Sequence, residues 1–332
     1  MRSGDFKAAA ASYRRLVEQG PASDEARATL VRALVRNGDL AEASLELDKA
    51  LQVAPNSAAV QVAAGDVFFR RAAFHKALAA YQKASELDAR YAPAWLGLSR
   101  VSYCLSLSRS AQNHIRKAHE CAPDDPDVLA AWASLLRSRP DHIAALERVL
   151  ASYDKDSKPA RNLKAHIAAD KAVGDRKTGI LASPYHNAEI PLRTVAHGPH
   201  TMHGWALRVG FNDKEPISLL LDTGAGGISV SRRAADRFRL EYLGEEGPEL
   251  LGVGDEKPVP FRLALAKKVQ VGDVIFENHT VTVADRTRDA DADGLIGTDV
   301  FSQFLVRLDF PKGKLRLTTF PNQTAPPNFS EG

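Results

Sequence analysis

Asp222, Thr223 and Gly224 are the residues of this chain best placed to do chemistry, because the apolar run Leu219-Leu220-Leu221 leads straight into them. Such a run predicts a buried strand. The small residues after it predict a tight turn that releases the Asp222 carboxylate where another backbone or a substrate can approach. The chemistry open to such a carboxylate is proton transfer. A second segment, Asp293-Gly294-Leu295-Ile296-Gly297, sets two apolar residues and a Gly after an acidic turn. An Asp-Thr-Gly triplet alone arises by chance in roughly one chain in twenty of this length. The weight therefore rests on the leucine-rich lead-in and on the second segment.

Leu220-Leu221-Asp222-Thr223-Gly224-Ala225 and Gly294-Leu295-Ile296-Gly297 together resemble the retropepsin-like, single-lobe aspartic proteases. Thr298-Asp299-Val300-Phe301, then Val306-Arg307-Leu308-Asp309-Phe310, are similar to the closing helix and last strand of bacterial members. The resemblance spans residues 188–320 and implies an all-β acid protease barrel. It implies that Asp222 is the catalytic carboxylate, that Thr223 fixes the paired loops through its hydroxyl, and that Gly224 permits the turn. Ala225, Leu295, Ile296 and Gly297 would support that turn from beneath. The Gly-rich stretch Leu251 to Val259, with Gly252, Val253 and Gly254, would be a flap that closes over the substrate.

The chemistry of that family needs two carboxylates held close enough to share one proton. The ionised one takes a proton from water, and the protonated one polarises the peptide carbonyl. This chain has a single Asp-Thr-Gly, and Asp293, Asp299 and Asp309 lack the Thr-Gly context. The second carboxylate is therefore expected from another chain, across a two-fold axis. Ala225 stands where pepsin-like relatives usually carry Ser or Thr, so a hydroxyl donor to the pair is missing. The optimum expected from this is on the order of pH 4–6.5.

The elements before this region repeat. Asp24, Ala58, Ala92 and Pro126 open equivalent helices at the tetratricopeptide period. The small position of the second helix is Ala43, Ala77, Ala111 and Ala145, and the aromatic or aliphatic one is Leu47, Tyr81, Ile115 and Val149. Residues 1–153 thus resemble a tetratricopeptide (TPR) array, the last unit degraded. Extending the register backwards puts Ala9 and Tyr13 on the second helix of an incomplete first unit, so the natural protein is expected to extend upstream, with a signal peptide lost there as one option. Counting along the first helices puts Arg32, Arg36, Arg70, Arg100 and Arg137 on or near the concave face. That suits an acidic segment or a C-terminal carboxylate, unless Asp66 and Glu25 balance the charge.

Residues 154–174 are expected to form a helix that caps the array, 175–187 a linker, and 321–332 a frayed tail. The fold class is thus multidomain, an all-α TPR solenoid followed by an all-β retropepsin-like barrel. A net charge of +3 gives no case for nucleic acid or a membrane surface, and no apolar run is long enough to span a bilayer. A soluble protein, cytoplasmic or periplasmic, is expected. Cys104 and Cys121 make no disulfide framework. His197, His200 and His203 are separated by Gly198 and Pro199, which break any helix, so loop histidines are expected rather than a metal site. Asp289 to Gly294 mimics the start of a calcium loop, but its twelfth position is Val300. No cofactor is expected. The reading is a homodimeric aspartic endopeptidase whose repeats recruit substrate or a partner protein. The alternative is a TPR scaffold whose barrel dimerises or binds peptide without catalysis.

Overall fold

The computed structural model describes residues 5–105, 107–196, 202–244, 249–250, 259–284 and 293–321. Internal contacts divide the chain into two compact units between Ala160 and Arg161.

The first unit is helical: α1 (Phe6–Glu18), α2 (Asp24–Asn37), α3 (Leu40–Val53), α4 (Ala58–Arg70), α5 (Phe74–Leu87), α6 (Ala92–Cys104), α7 (Ser108–Cys121), α8 (Pro126–Ala133) and α9 (Arg139–Ala151). Starts are set locally. The side chains of Ser23, Asp125 and Ser138 accept the amides of Ala26, Val128 and Asp141, and proline occupies the first turn of α6, α8 and α9. The repeat positions read from the sequence form the core. Ala43, Ala77 and Ala111 are fully buried, as is Tyr81, and Leu47, Ile115 and Val149 are nearly so. Tyr81 lies where Gly65 and Gly97 leave room: a Cβ on either would come within 2.4 Å of its ring. The first helices α2, α4, α6 and α8 pack on one another in turn, and the second helices α3, α5 and α7 make no comparable contact. The first helices therefore line the inner side of the curve. Cys104 and Cys121 are both free thiols.

Helix α10 (Lys158–Val173) forms where the capping helix was expected. Its last two turns pack differently, with Ala169 and Val173 joining Leu243 and Leu265 of the second unit. Arg176 just beyond it pairs with Glu241. The expected linker is also partly built in. Ile180–Leu181 forms β1, and the Tyr185 hydroxyl donates to the Gln303 carbonyl and accepts from the Phe320 amide.

The second unit contains β2 (Ala188–Pro191), β3 (Arg193–Ala196), β4 (Met202–Phe211), β5 (Ile217–Asp222), β6 (Ile228–Val230), α11 (Arg232–Phe238), β7 (Glu241–Tyr242), β8 (Glu249–Leu250), β9 (Val259–Val271), β10 (Val274–Ala284), β11 (Gly294–Gly297), β12 (Leu305–Asp309) and β13 (Lys314–Thr318). The ladder runs β10-β6-β11-β5-β4-β9, and β9 pairs again with β10, so these six strands close into a barrel. Closure removes the free edges of those strands. Phe211, Leu219, Ile228, Phe238, Phe276 and Phe301 fill its core. A separate sheet orders β12-β13-β2. The consecutive strands β2 and β3 are divided between the two sheets. Leu192 stands at the break and donates its amide to Gly313. No described helix is long and apolar enough to cross a membrane.

Candidate active site

Strand β5 alternates inward Ile217 and Leu219 with outward neighbours and delivers Asp222 at its end. Strand β11 lies beside it. Leu295, Ile296 and Gly297 pair parallel with Leu220, Leu221 and Asp222, and Ile296 pairs antiparallel with Ile228 of β6. The two segments singled out in the sequence therefore meet, and β11 holds apart the two strands that flank the Asp222 turn.

The turn is pinned at several points. The Gly224 amide donates to Oδ1 of Asp222 at 2.8 Å, and the Ala225 amide donates to the Asp222 carbonyl at 3.2 Å. At the far end, the Gly227 carbonyl accepts the Gly297 amide at 2.8 Å. The Gly227 amide donates to Asp299, whose two carboxylate oxygens both lie at 2.9 Å. Glycine at 297 is a matter of space. A Cβ there would lie 2.3 Å from the Ala225 carbonyl oxygen and 2.4 Å from Oδ1 of Asp299. The backbone of Ala225 thus packs directly against Gly297.

Asp222 is half-buried and Thr223 exposed. The Thr223 hydroxyl makes no hydrogen bond among the described residues. Beside them opens a hollow of about 270 Å³, lined by Trp205, Leu221, Asp222, Thr223, Leu308 and Phe310 among others. Trp205 and Phe310, both in its lining, stack with ring centroids 5.6 Å apart. Leu305 and Phe310 are exposed large apolar side chains nearby in sequence. The other candidate carboxylates have duties of their own. Asp299 holds Gly227, and Asp309 accepts the Lys312 amide and lies 3.5 Å from Arg316. Among the described residues no group of three or more His, Cys, Asp or Glu could hold a metal ion. Gly252, Val253 and Gly254, read as a flap, lie outside the described residues, as do His197 and His200.

Asp299 and the aromatic pair Trp205 and Phe310 were not assigned these places from sequence. The signal for Asp299 is its position two residues after Gly297, where its carboxylate reaches the loop that β11 supports.

On the inner face of the repeats, acidic residues engage the expected arginines. Arg32 donates to Asp66 at 2.9 Å, with both side chains largely buried, and Arg100 lies 3.9 Å from the same carboxylate. The Tyr81 hydroxyl donates to Asp66 at 2.6 Å. Arg36 pairs with Asp127 at 2.8 Å, and the Tyr91 hydroxyl contacts Glu25. Arg70 is exposed. Arg137 is a correction: α8 ends at Ala133, so this residue stands beyond the helix rather than on a first helix.

Residues 207–300 match the family model described as an aspartyl protease, and residues 1–65 match that of the tetratricopeptide repeat. The N-terminal helices are thus similar to tetratricopeptide repeats, and the barrel segment that holds Asp222 is similar to aspartyl proteases. Among solved structures the chain is similar to a thermophilic TPR protein of Thermus thermophilus, with 20% identity over 51% of this chain and 91% of that one, at a TM-score of 0.41. It is also similar to a retropepsin-like aspartic protease from Rickettsia conorii, with 19% identity over 42% of this chain and 95% of that one, at a TM-score of 0.29. No curated protein matches the chain.

Proposed function

We propose that this protein is an aspartic endopeptidase that acts as a homodimer, with repeats that recruit a protein substrate or partner. The observation that carries the reading is the Asp222 carboxylate, held at the end of β5 by the Gly224 amide beside an open hollow. Hydrolysis then follows the shared-proton route. Two Asp222 side chains, one from each protomer, hold one proton between them. The charged one takes a proton from water as that water attacks the peptide carbonyl, and the neutral one donates towards the carbonyl oxygen. The tetrahedral intermediate collapses with proton transfer to the leaving amine, and no acyl-enzyme forms. The exposed Thr223 hydroxyl and the exposed Leu305 and Phe310 favour a second copy as the source of the missing carboxylate. Gly252 to Gly254 are the proposed flap. Arg32, Arg36, Arg70 and Arg100 are the proposed face for an acidic partner.

The test is to assay wild type and Asp222→Asn on a mixed peptide library over a range of protein concentrations. Cleavage that Asp222→Asn abolishes, and whose rate per chain falls on dilution, is the expected result. Cleavage that survives Asp222→Asn would remove the enzyme reading. Specific activity independent of concentration in a proven monomer would remove the dimer.

A further inference from the structure

Asp127 opens α8, and the inner face of the repeats gathers guanidinium groups around it. Arg36, at the end of α2 and 91 residues away in sequence, donates to its Oδ2 at 2.8 Å. Burial pushes the Asp127 carboxyl up, but the charge of Arg36 and its hydrogen bond, then the charges of Arg100 and Arg32, outweigh this and hold it below the ordinary range. Arg32 and Arg100 also face Asp66, and Tyr153 stands near both Asp127 and Arg36. The two pairs differ in access. Arg32 and Asp66 are only 15% and 13% exposed, whereas Arg36 and Asp127 are 30% and 41% exposed. The first is a fixed part of the floor. The second is open to solvent, and such pairs exchange readily. A carboxylate facing arginines from two other helices is the group that an acidic ligand would present, and here the chain presents it itself.

We propose that Asp127 is a built-in competitor, whose carboxylate fills the anion seat at Arg36 and which a partner's carboxylate must displace from Arg36 in order to bind. This rests on the reading that the repeats recruit an acidic partner. It adds that the face is self-neutralised until that partner arrives. The apparent affinity for a ligand falls by the fraction of chains in which the seat is filled, so emptying the seat must raise it.

The experiment measures fluorescence polarisation of labelled peptides on the full chain at low salt. The probes are amidated hexaglutamate, hexaglutamine with a free C-terminal carboxylate, and amidated hexaglutamine as control. The chains are wild type, Asp127→Asn and the double variant Arg36→Gln/Asp127→Asn, with circular dichroism melts to confirm folding. Asp127→Asn should tighten binding of a carboxylate-bearing probe by about threefold or more, the range open to a solvent-accessible pair. The double variant should lose that gain. The first two probes distinguish side-chain from terminal carboxylates. If wild type binds and Asp127→Asn binds no more tightly, the competitor is overturned while the groove stands. If no chain prefers either acidic probe over the control, the groove reading fails and takes the competitor with it.

Discussion

Asp299 accepts the amide of Gly227 with both carboxylate oxygens at 2.9 Å, and so ties the loop after Asp222 to the segment that follows β11. Asp299→Ala leaves that amide without its charged acceptor, at a cost of about 1–2 kcal/mol in stability. Asp299→Asn keeps one acceptor oxygen and should fall between wild type and Ala. On a cleaved peptide, kcat should drop more than KM rises, because Asp299 positions the turn rather than the substrate. Equal kcat in Asp299→Ala would assign the contact to folding alone.

Gly297→Ala is expected to be worse. Its new methyl meets the Ala225 carbonyl oxygen, which is backbone and cannot swing away. Overpacking of this kind costs at least about 2 kcal/mol. Thermal denaturation should show the transition of the β unit falling while the helical unit melts unchanged. An undisturbed β transition would mean that β11 sits further from the turn than 2.3 Å implies.

In the helical unit, Tyr81 is fully buried and donates to Asp66, which also holds Arg32. Tyr81→Phe keeps the ring but removes one donor from a buried carboxylate, for a loss of about 1–2 kcal/mol. Gly97→Ala drives a methyl into that ring and should cost at least as much. Denaturant midpoints of the helical transition would check both.

His279 ties stability to pH. Burial lowers its pKa below 6.5, against the opposing hydrogen bond to the Thr280 carbonyl and the charge of Asp299. The unfolded chain therefore takes up a proton that the folded one resists. Above about pH 6.5 there is no penalty, and as pH falls below that value stability of the β unit declines until the folded value is passed. His279→Gln should flatten that slope in melts between about pH 7 and 5. A slope that persists unchanged would point to another group. The proposed catalysis favours the same acidic range, so this variant should also extend activity on the acid side.

The sequence carried the repeats because their packing is periodic. Ala77, Tyr81 and Ala111 are buried at the spacing that marked them, and that spacing is local. It carried the Asp222 turn because an apolar strand must end in small residues for a carboxylate to emerge. Long-range pairing left no such mark. Nothing near Arg36 tells that its partner is Asp127, and nothing near Ala188 tells that β2 joins β13 while β3 joins β4. Arg137 was misplaced for a related reason. The helical register runs on in the letters after Ala133, but the helix itself stops.

Strand β11 comes late in the chain yet lies between β5 and β6, with which it makes one parallel and one antiparallel pairing. During synthesis, Asp222 emerges long before the residues that shape its turn. Until Gly294 to Gly297 arrive, β5 and β6 have no strand between them and the Gly227 carbonyl lacks its Gly297 donor. Pairings of such large sequence separation form slowly, because the loop must close before contacts repay it. A growing or truncated chain therefore carries the acidic residue without the geometry, so the proposed cleavage must wait until β11 has been made.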